Sequence, residues 1–78
     1  MPQENVEIPI AGKVVNVNIK VGDKVKEGDT LCLLESMKME IPILAPLGGT
    51  ITQLGVSAEH AVKPGDLVAI IEYSEAGD

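Results

Sequence analysis

The sequence contains no phenylalanine, tryptophan or arginine, and Tyr73 is its only aromatic residue. Nucleic-acid sites use clustered cations and stacking rings, whereas the six lysines here are spread from Lys13 to Lys63. The formal net charge of −6 also opposes binding to phosphate backbones. Because 45% of the residues are hydrophobic, with Val, Ile and Leu prominent, we expect an aliphatic core and no nucleic-acid partner.

Cysteine and long apolar segments are also scarce. Cys32 stands alone, which excludes an internal disulfide and favours a reducing compartment. The first residues show no basic region followed by an apolar stretch, and the run from Leu67 to Ile71 is too short to span a bilayer. These features predict a soluble, cytoplasmic protein without membrane insertion. The 78 residues allow a single domain without a deep catalytic cleft.

Residues suited to catalysis or metal binding do not form a recognisable set. His60 lies in a predicted turn without other ligands at suitable spacing, so we expect a surface histidine and no metal site. Cys32 lies within an apolar run and is expected to pack rather than to react. Since no nucleophile can be paired with a base, the chain is predicted not to be an enzyme itself.

Short runs of apolar and β-branched residues alternate with turn signals along the whole chain. Apolar residues recur with period two at Val15, Val17 and Ile19, and further runs cover 31–34, 41–44, 50–54 and 67–71. Gly-Asp and Gly-Gly turns separate them too closely for a helix of ordinary length. The pattern predicts an all-β domain.

The two halves of the chain repeat each other, because residue i resembles residue i+37 without a gap. One half of about four short strands would leave an apolar face in water. We therefore expect two such sheets packed face to face, as a flattened barrel or sandwich with approximate two-fold symmetry. The matching residues are Pro9/Pro46, Gly12/Gly49, Val14/Ile51, Val17/Leu54, Val25/Val62, Gly28/Gly65, Asp29/Asp66, Leu31/Val68 and Glu35/Glu72.

The segment between the halves, Glu35 to Glu40, has no counterpart inside either half. Strand-like runs flank it, so Met37 and Lys38 are predicted at the tip of a tight hairpin with Lys38 in solvent. The two bracketing carboxylates are expected to be solvated or to recruit a partner, not to act as acid and base.

This segment, Glu-Ser-Met-Lys-Met-Glu, resembles the biotinylation motif of the biotinyl domain, or biotin carboxyl carrier protein, family. The resemblance extends over the framework from about Val6 to Glu72. It implies two four-stranded antiparallel sheets related by a pseudo-two-fold axis, with the target lysine on a hairpin. One domain would cover residues 1–78, with its core at about 6–72. The supporting motifs are Ile8-Pro9-x-x-Gly12, Val21-Gly22-Asp23, Gly28-Asp29-x-Leu31, Ala45-Pro46-x-x-Gly49 and Pro64-Gly65-Asp66.

The same resemblance implies a function as a carrier. A biotin protein ligase would join biotin to Lys38 through an amide, a biotin carboxylase would add a carboxyl group, and a carboxyltransferase would pass it to an acceptor. The sequence leaves the acceptor open among acetyl-CoA, propionyl-CoA, pyruvate and the substrates of decarboxylase pumps. The residues implied around Lys38 are Met37 and Met39 as recognition residues, with Glu35, Ser36 and Glu40 as motif context.

Two alternatives remain open. Lipoyl carriers share the fold, but they usually place Asp before the modified lysine and often Ala after it, whereas this chain has Met37 and Met39. The other alternative is a binding or assembly module in which Lys38 stays unmodified.

Three departures from relatives carry further expectations. The gapless repeat predicts no protruding "thumb" insertion, and the absence of an Ala/Pro-rich linker favours a stand-alone carrier or a domain expressed alone. In the second half Glu59 stands where the first half has the turn residue Gly22. If Glu59 takes a positive φ, the turn is expected to be strained, and otherwise it is expected to be rebuilt.

Overall fold

The regular structure of the chain is β throughout the part that the computed structural model describes, residues 2–74. The predicted runs at 31–34, 41–44, 50–54 and 67–71 each lie inside a strand. The strands are β1 (Gln3–Glu7), β2 (Gly12–Val17), β3 (Lys24–Val25), β4 (Thr30–Ser36), β5 (Met39–Leu44), β6 (Gly49–Leu54), β7 (His60–Val62) and β8 (Leu67–Glu72).

These strands form two four-stranded antiparallel sheets, which confirms the predicted fold class. The sheet that contains the first and last strands, here the terminal sheet, has the order β1-β8-β6-β3. The other, here the hairpin sheet, has the order β5-β4-β2-β7. The expectation that each half forms one sheet is wrong, because each sheet takes two strands from each half of the chain. The halves interlock because β2 pairs with β7 and β6 pairs with β3.

Backbone hydrogen bonds repeat with the same offset of 37 residues as the sequence. The Gly28 amide donates to the Ala45 carbonyl at 2.9 Å, and the Gly65 amide donates to the Ile8 carbonyl at 2.9 Å. Exchanging the two halves of the chain converts one bond into the other. The approximate two-fold symmetry is therefore present in the backbone as well as in the residue pattern.

The core between the sheets is aliphatic, as predicted. A shift of register in β4 between Thr30 and Cys32 allows the consecutive residues Leu31 and Cys32 both to be buried. A second bulge, between Val14 and Asn16, places Val14 rather than Val15 in the core. The largest fully buried side chains are Ile8, Leu31, Leu34, Ile51, Ile71, Val14, Val68 and Cys32.

Gly12 and Gly49 occupy equivalent positions at which neighbouring strands approach closely. A β-carbon at Gly12 would overlap the carbonyl oxygen of Glu35, and one at Gly49 would overlap the carbonyl oxygen of Glu72. Only glycine allows β2 to lie this close to β4, and β6 to β8. Gly12 thereby sets the position of the end of β4 that leads into the segment between the halves.

Candidate functional site

The segment between the halves forms a two-residue hairpin, as predicted. Glu35 pairs with Glu40 and Ser36 pairs with Met39, which leaves Met37 and Lys38 as the turn. Both turn residues have positive φ, 52° for Met37 and 67° for Lys38. Positive φ at both central residues is the property of a type I′ turn, whose twist matches that of the flanking strands. The turn thus places Lys38 at the outermost point of the β4–β5 hairpin.

Met-Lys is an unfavourable sequence for this turn, because type I′ turns prefer Asn-Gly or Gly-Gly. A residue with a β-carbon in the left-handed region costs about 1–2 kcal/mol. The strand pairs that continue from Ser36 down to Thr30 hold the turn in this conformation. Sequence reasoning located the hairpin tip but did not foresee its positive φ values, which only the two-residue pairing register reveals.

A side-chain hydrogen bond anchors the turn to the first half of the chain. The Ser36 hydroxyl donates to the Ala11 carbonyl at 2.9 Å. This bond ties β4, just before the turn, to the loop that precedes Gly12. Sequence reasoning gave Ser36 only as part of the motif, and no periodic pattern could have identified Ala11 as its partner.

The side chains of the turn are open to solvent. Met37 is 92% exposed and Met39 is 64% exposed, and Lys38 is exposed between them. Within residues 2–74, no acceptor or carboxylate lies within bonding distance of the Lys38 amine. An exposed amine without a partner can lose its charge on acylation without breaking an ion pair or stranding a buried group. The residues present therefore fit a prosthetic group attached through an amide at Lys38.

Carboxylates lie directly behind the turn. Glu35 and Glu40 face each other across β4 and β5, and Lys13 of β2 is the next residue in the same row. Lys13 forms an ion pair with Glu59, with its amine 3.7 Å from the carboxylate. All four side chains are exposed, so the row is a solvated acidic border and not a buried acid–base pair.

The other reactive residues lie apart from the turn. Cys32 is fully buried, and desolvation raises the pKa of its thiol, so its side chain packs as a hydrophobe. His60 is exposed, and its Nδ1 lies 3.3 Å from the Ala58 carbonyl. Residues 2–74 bring together no group of three His, Cys, Asp or Glu side chains that could hold a metal ion. The same residues include no helix long and apolar enough to cross a membrane.

The chain is similar to proteins that carry biotin or lipoate. Residues 4–71 match the Biotin_lipoyl family model, described as biotin-requiring enzyme. The chain is 44% identical over 68 residues to the biotinylated protein TB7.3 homolog of Mycobacterium leprae, covering 87% of this chain and 96% of that protein. It is 39% identical over 65 residues to the dihydrolipoyllysine-residue acetyltransferase component of the pyruvate dehydrogenase complex of Acholeplasma laidlawii, covering 83% of this chain and 12% of that one.

Solved structures agree with the sequence comparison. A single-chain, multi-domain long-chain acyl-CoA carboxylase contains a region that superposes with a TM-score of 0.86 at 26% identity. The match covers 95% of this chain and 8% of the carboxylase. Because the family model spans nearly all of the described residues, the chain belongs to the biotin-requiring enzyme family and is a biotinyl domain.

Proposed function

We propose that this chain is a biotin carboxyl carrier whose biotin is linked through an amide to the amine of Lys38. The observation that carries the proposal is an exposed, unpaired lysine at the tip of a type I′ turn, in the centre of the Met-Lys-Met motif. The biotinylated mycobacterial relative, which this chain matches along almost its whole length, supports the same assignment.

The attachment step needs only the amine from this chain. Lys38 Nζ attacks the carboxyl carbon of biotin that a biotin protein ligase has activated as its adenylate. The new C–N bond forms as the bond to AMP breaks, and the amine proton leaves to the ligase or to solvent. Attached biotin then supplies a ring nitrogen that accepts and releases a carboxyl group. The carrier contributes position and reach, and we assign it no catalytic residue.

The residues around Lys38 have distinct roles in this proposal. The exposed, polarizable side chains of Met37 and Met39 offer apolar contact to a ligase on either side of the amine. Ser36 fixes the turn through its bond to Ala11. Biotin carboxylase and carboxyltransferase are the proposed partners of the loaded carrier, and the acceptor is chosen by the carboxyltransferase. We propose that this chain works as a non-catalytic subunit or domain beside them.

A lipoyl carrier is the second candidate, because one relative is named for a dihydrolipoyllysine residue. The methionines on both sides of Lys38 favour biotin over lipoate, since this chain lacks the Asp that lipoyl domains usually place before the lysine.

Labelling by purified ligases tests the proposal. The chain is incubated with biotin protein ligase, ATP and biotin, and in parallel with lipoate ligase, ATP and lipoate. We expect biotin on the wild type and on Lys63→Arg, an exposed lysine away from the turn, and none on Lys38→Arg. Biotin uptake by Lys38→Arg, or labelling by the lipoate ligase alone, would contradict the assignment.

A further inference from the structure

The outer faces of the two sheets differ in polarity. In the hairpin sheet, Leu33 and Pro42 face each other across β4 and β5. Their neighbours Leu34 and Ile43 are buried in the core, so alternation directs Leu33 and Pro42 outward. Two more outward side chains extend this group. We call the set the apolar face; it consists of Val15, Leu33, Pro42 and Leu44.

The exposure of these side chains shows that nothing in residues 2–74 covers the apolar face. Leu44 is 47% exposed and Pro42 is exposed. Val15 and Leu33 are half-buried, and neither belongs to the core cluster. On β2 the exposed Asn16 pairs with Leu33, and Val15 is the extra residue of the bulge beside that pair. The apolar strip therefore runs over Leu33, Pro42 and Leu44 of β4 and β5, with Val15 at its border on β2.

The two-fold repeat supplies an internal reference for this face. The positions 37 residues away on the outer face of the terminal sheet have more polar residues: Thr52 for Val15, Asn5 for Pro42 and Glu7 for Leu44. The terminal sheet has the half-buried Ile70 in place of Leu33, and it has the half-buried Leu67 where the hairpin sheet has the exposed Thr30. Both sheets bury apolar residues on their inner sides. The fold therefore does not require the additional apolar residues on the outside of the hairpin sheet.

The apolar face is continuous with the modification site. Starting from Lys38 and moving down the hairpin, the first outward pair is Glu35 and Glu40, and the next is Leu33 and Pro42. A partner that receives the Lys38 side chain in a cleft therefore meets an acidic row and then an apolar strip. Glu35 and Glu40 make no ion pair within residues 2–74, so both charges are available to a partner.

We infer that the apolar face and the Glu35–Glu40 row together form the docking surface for the biotin carboxylase. This inference rests on the proposed function. A biotin carboxylase binds ATP and bicarbonate whichever acceptor is finally used, and a cleft for two anions has a positive border. The acidic row complements that border, and the apolar strip behind it supplies buried contact area at the centre of the interface.

Kinetics with the loaded carrier test the inference. The double variant V15T/L44E gives the hairpin sheet a neutral polar residue and a charge, close to those of the terminal sheet. The matched control N5E adds one negative charge to the outer face of the terminal sheet. Each chain is biotinylated, checked by intact mass and thermal unfolding, and supplied as substrate to the biotin carboxylase of the same organism with Mg-ATP and labelled bicarbonate.

We expect V15T/L44E to raise the KM for the carrier about tenfold or more, with little change in kcat, and N5E to leave both constants unchanged. An unchanged KM for V15T/L44E, or an equal rise for N5E, would overturn the inference. Sedimentation as a dimer that V15T/L44E dissociates would also overturn it, since a second copy would then cover the face. A wild type that takes up no biotin would overturn the proposed function as well.

Discussion

Gly22 and Glu59, 37 residues apart, occupy equivalent turns and both have positive φ, 98° and 68° respectively. The Gly22 amide donates to the Ile51 carbonyl at 2.8 Å, and the Glu59 amide donates to the Val14 carbonyl at 2.6 Å. The second turn thus keeps the backbone geometry of the first without its glycine. The expected strain at Glu59 follows from its β-carbon in the left-handed region.

Relief of this strain is the first prediction. Replacing Glu59 by glycine removes the β-carbon, whereas replacing it by alanine keeps the β-carbon and removes only the carboxylate. Both variants lose the exposed ion pair with Lys13, which stabilises little. Glu59→Gly is therefore expected to be more stable than Glu59→Ala by about 1 kcal/mol in urea unfolding. Equal stabilities would show that the turn is not strained.

The close approaches at the equivalent residues Gly12 and Gly49 give the second prediction. Gly12→Ala and Gly49→Ala are each expected to lower the free energy of unfolding by about 1–3 kcal/mol, because the added methyl group overlaps a strand carbonyl. Gly48→Ala is the control. Its β-carbon would meet the Val25 carbonyl oxygen at 3.3 Å, a tight contact without overlap, so a smaller loss of stability is expected.

The two variants should differ at the hairpin tip. Gly12 lies against Glu35, two residues before the turn, whereas Gly49 lies against Glu72 in the other sheet. Gly12→Ala is therefore expected to slow biotinylation of Lys38 at a temperature where both variants remain folded, and Gly49→Ala is not. Equal rates for the two variants would mean that the close approach of β2 to β4 does not position the turn.

Burial of Cys32 predicts a dependence of stability on pH. Desolvation raises the pKa of its thiol in the folded state, so above the thiol's ordinary pKa the unfolded chain loses the proton first. The unfolded state then binds fewer protons than the folded state, and stability falls as pH rises. Urea unfolding between about pH 7 and pH 9.5 should show this fall in the wild type and a smaller one in Cys32→Ala. An equal fall of the unfolding free energy with pH in the wild type and in Cys32→Ala would contradict this prediction.

The sequence predicted the features that depend on local patterns. Short β-branched runs bounded by glycine turns indicated the strands, and the gap between the repeats indicated the hairpin at Met37 and Lys38. The short strands β3 and β7 were missed, because Lys24–Val25 and His60–Val62 are too brief to show a period. Strand β1 was also missed, because its mostly polar residues show no strand pattern. Its pairing with β8 makes it a strand.

The features that the sequence did not predict depend on contacts between residues far apart in the chain. The exchange of strands between the halves depends on pairings such as β2 with β7, which no spacing along the chain records. The apolar face could not be predicted from the sequence for a different reason. The runs 31–34 and 41–44 are apolar throughout, so the sequence alone does not separate Leu34, which is buried, from Leu33 and Leu44, which are partly open to solvent.

The most direct measurement is the intact mass of the chain purified from its native cells, followed by mapping of the peptide that contains Lys38. Attachment of biotin at the exposed tip of the hairpin predicts a single biotinyl increment, located on Lys38 and on no other lysine. A lipoyl increment on Lys38, or an unmodified chain in cells that contain an active biotin ligase, would contradict the assignment of this chain as a biotin carrier.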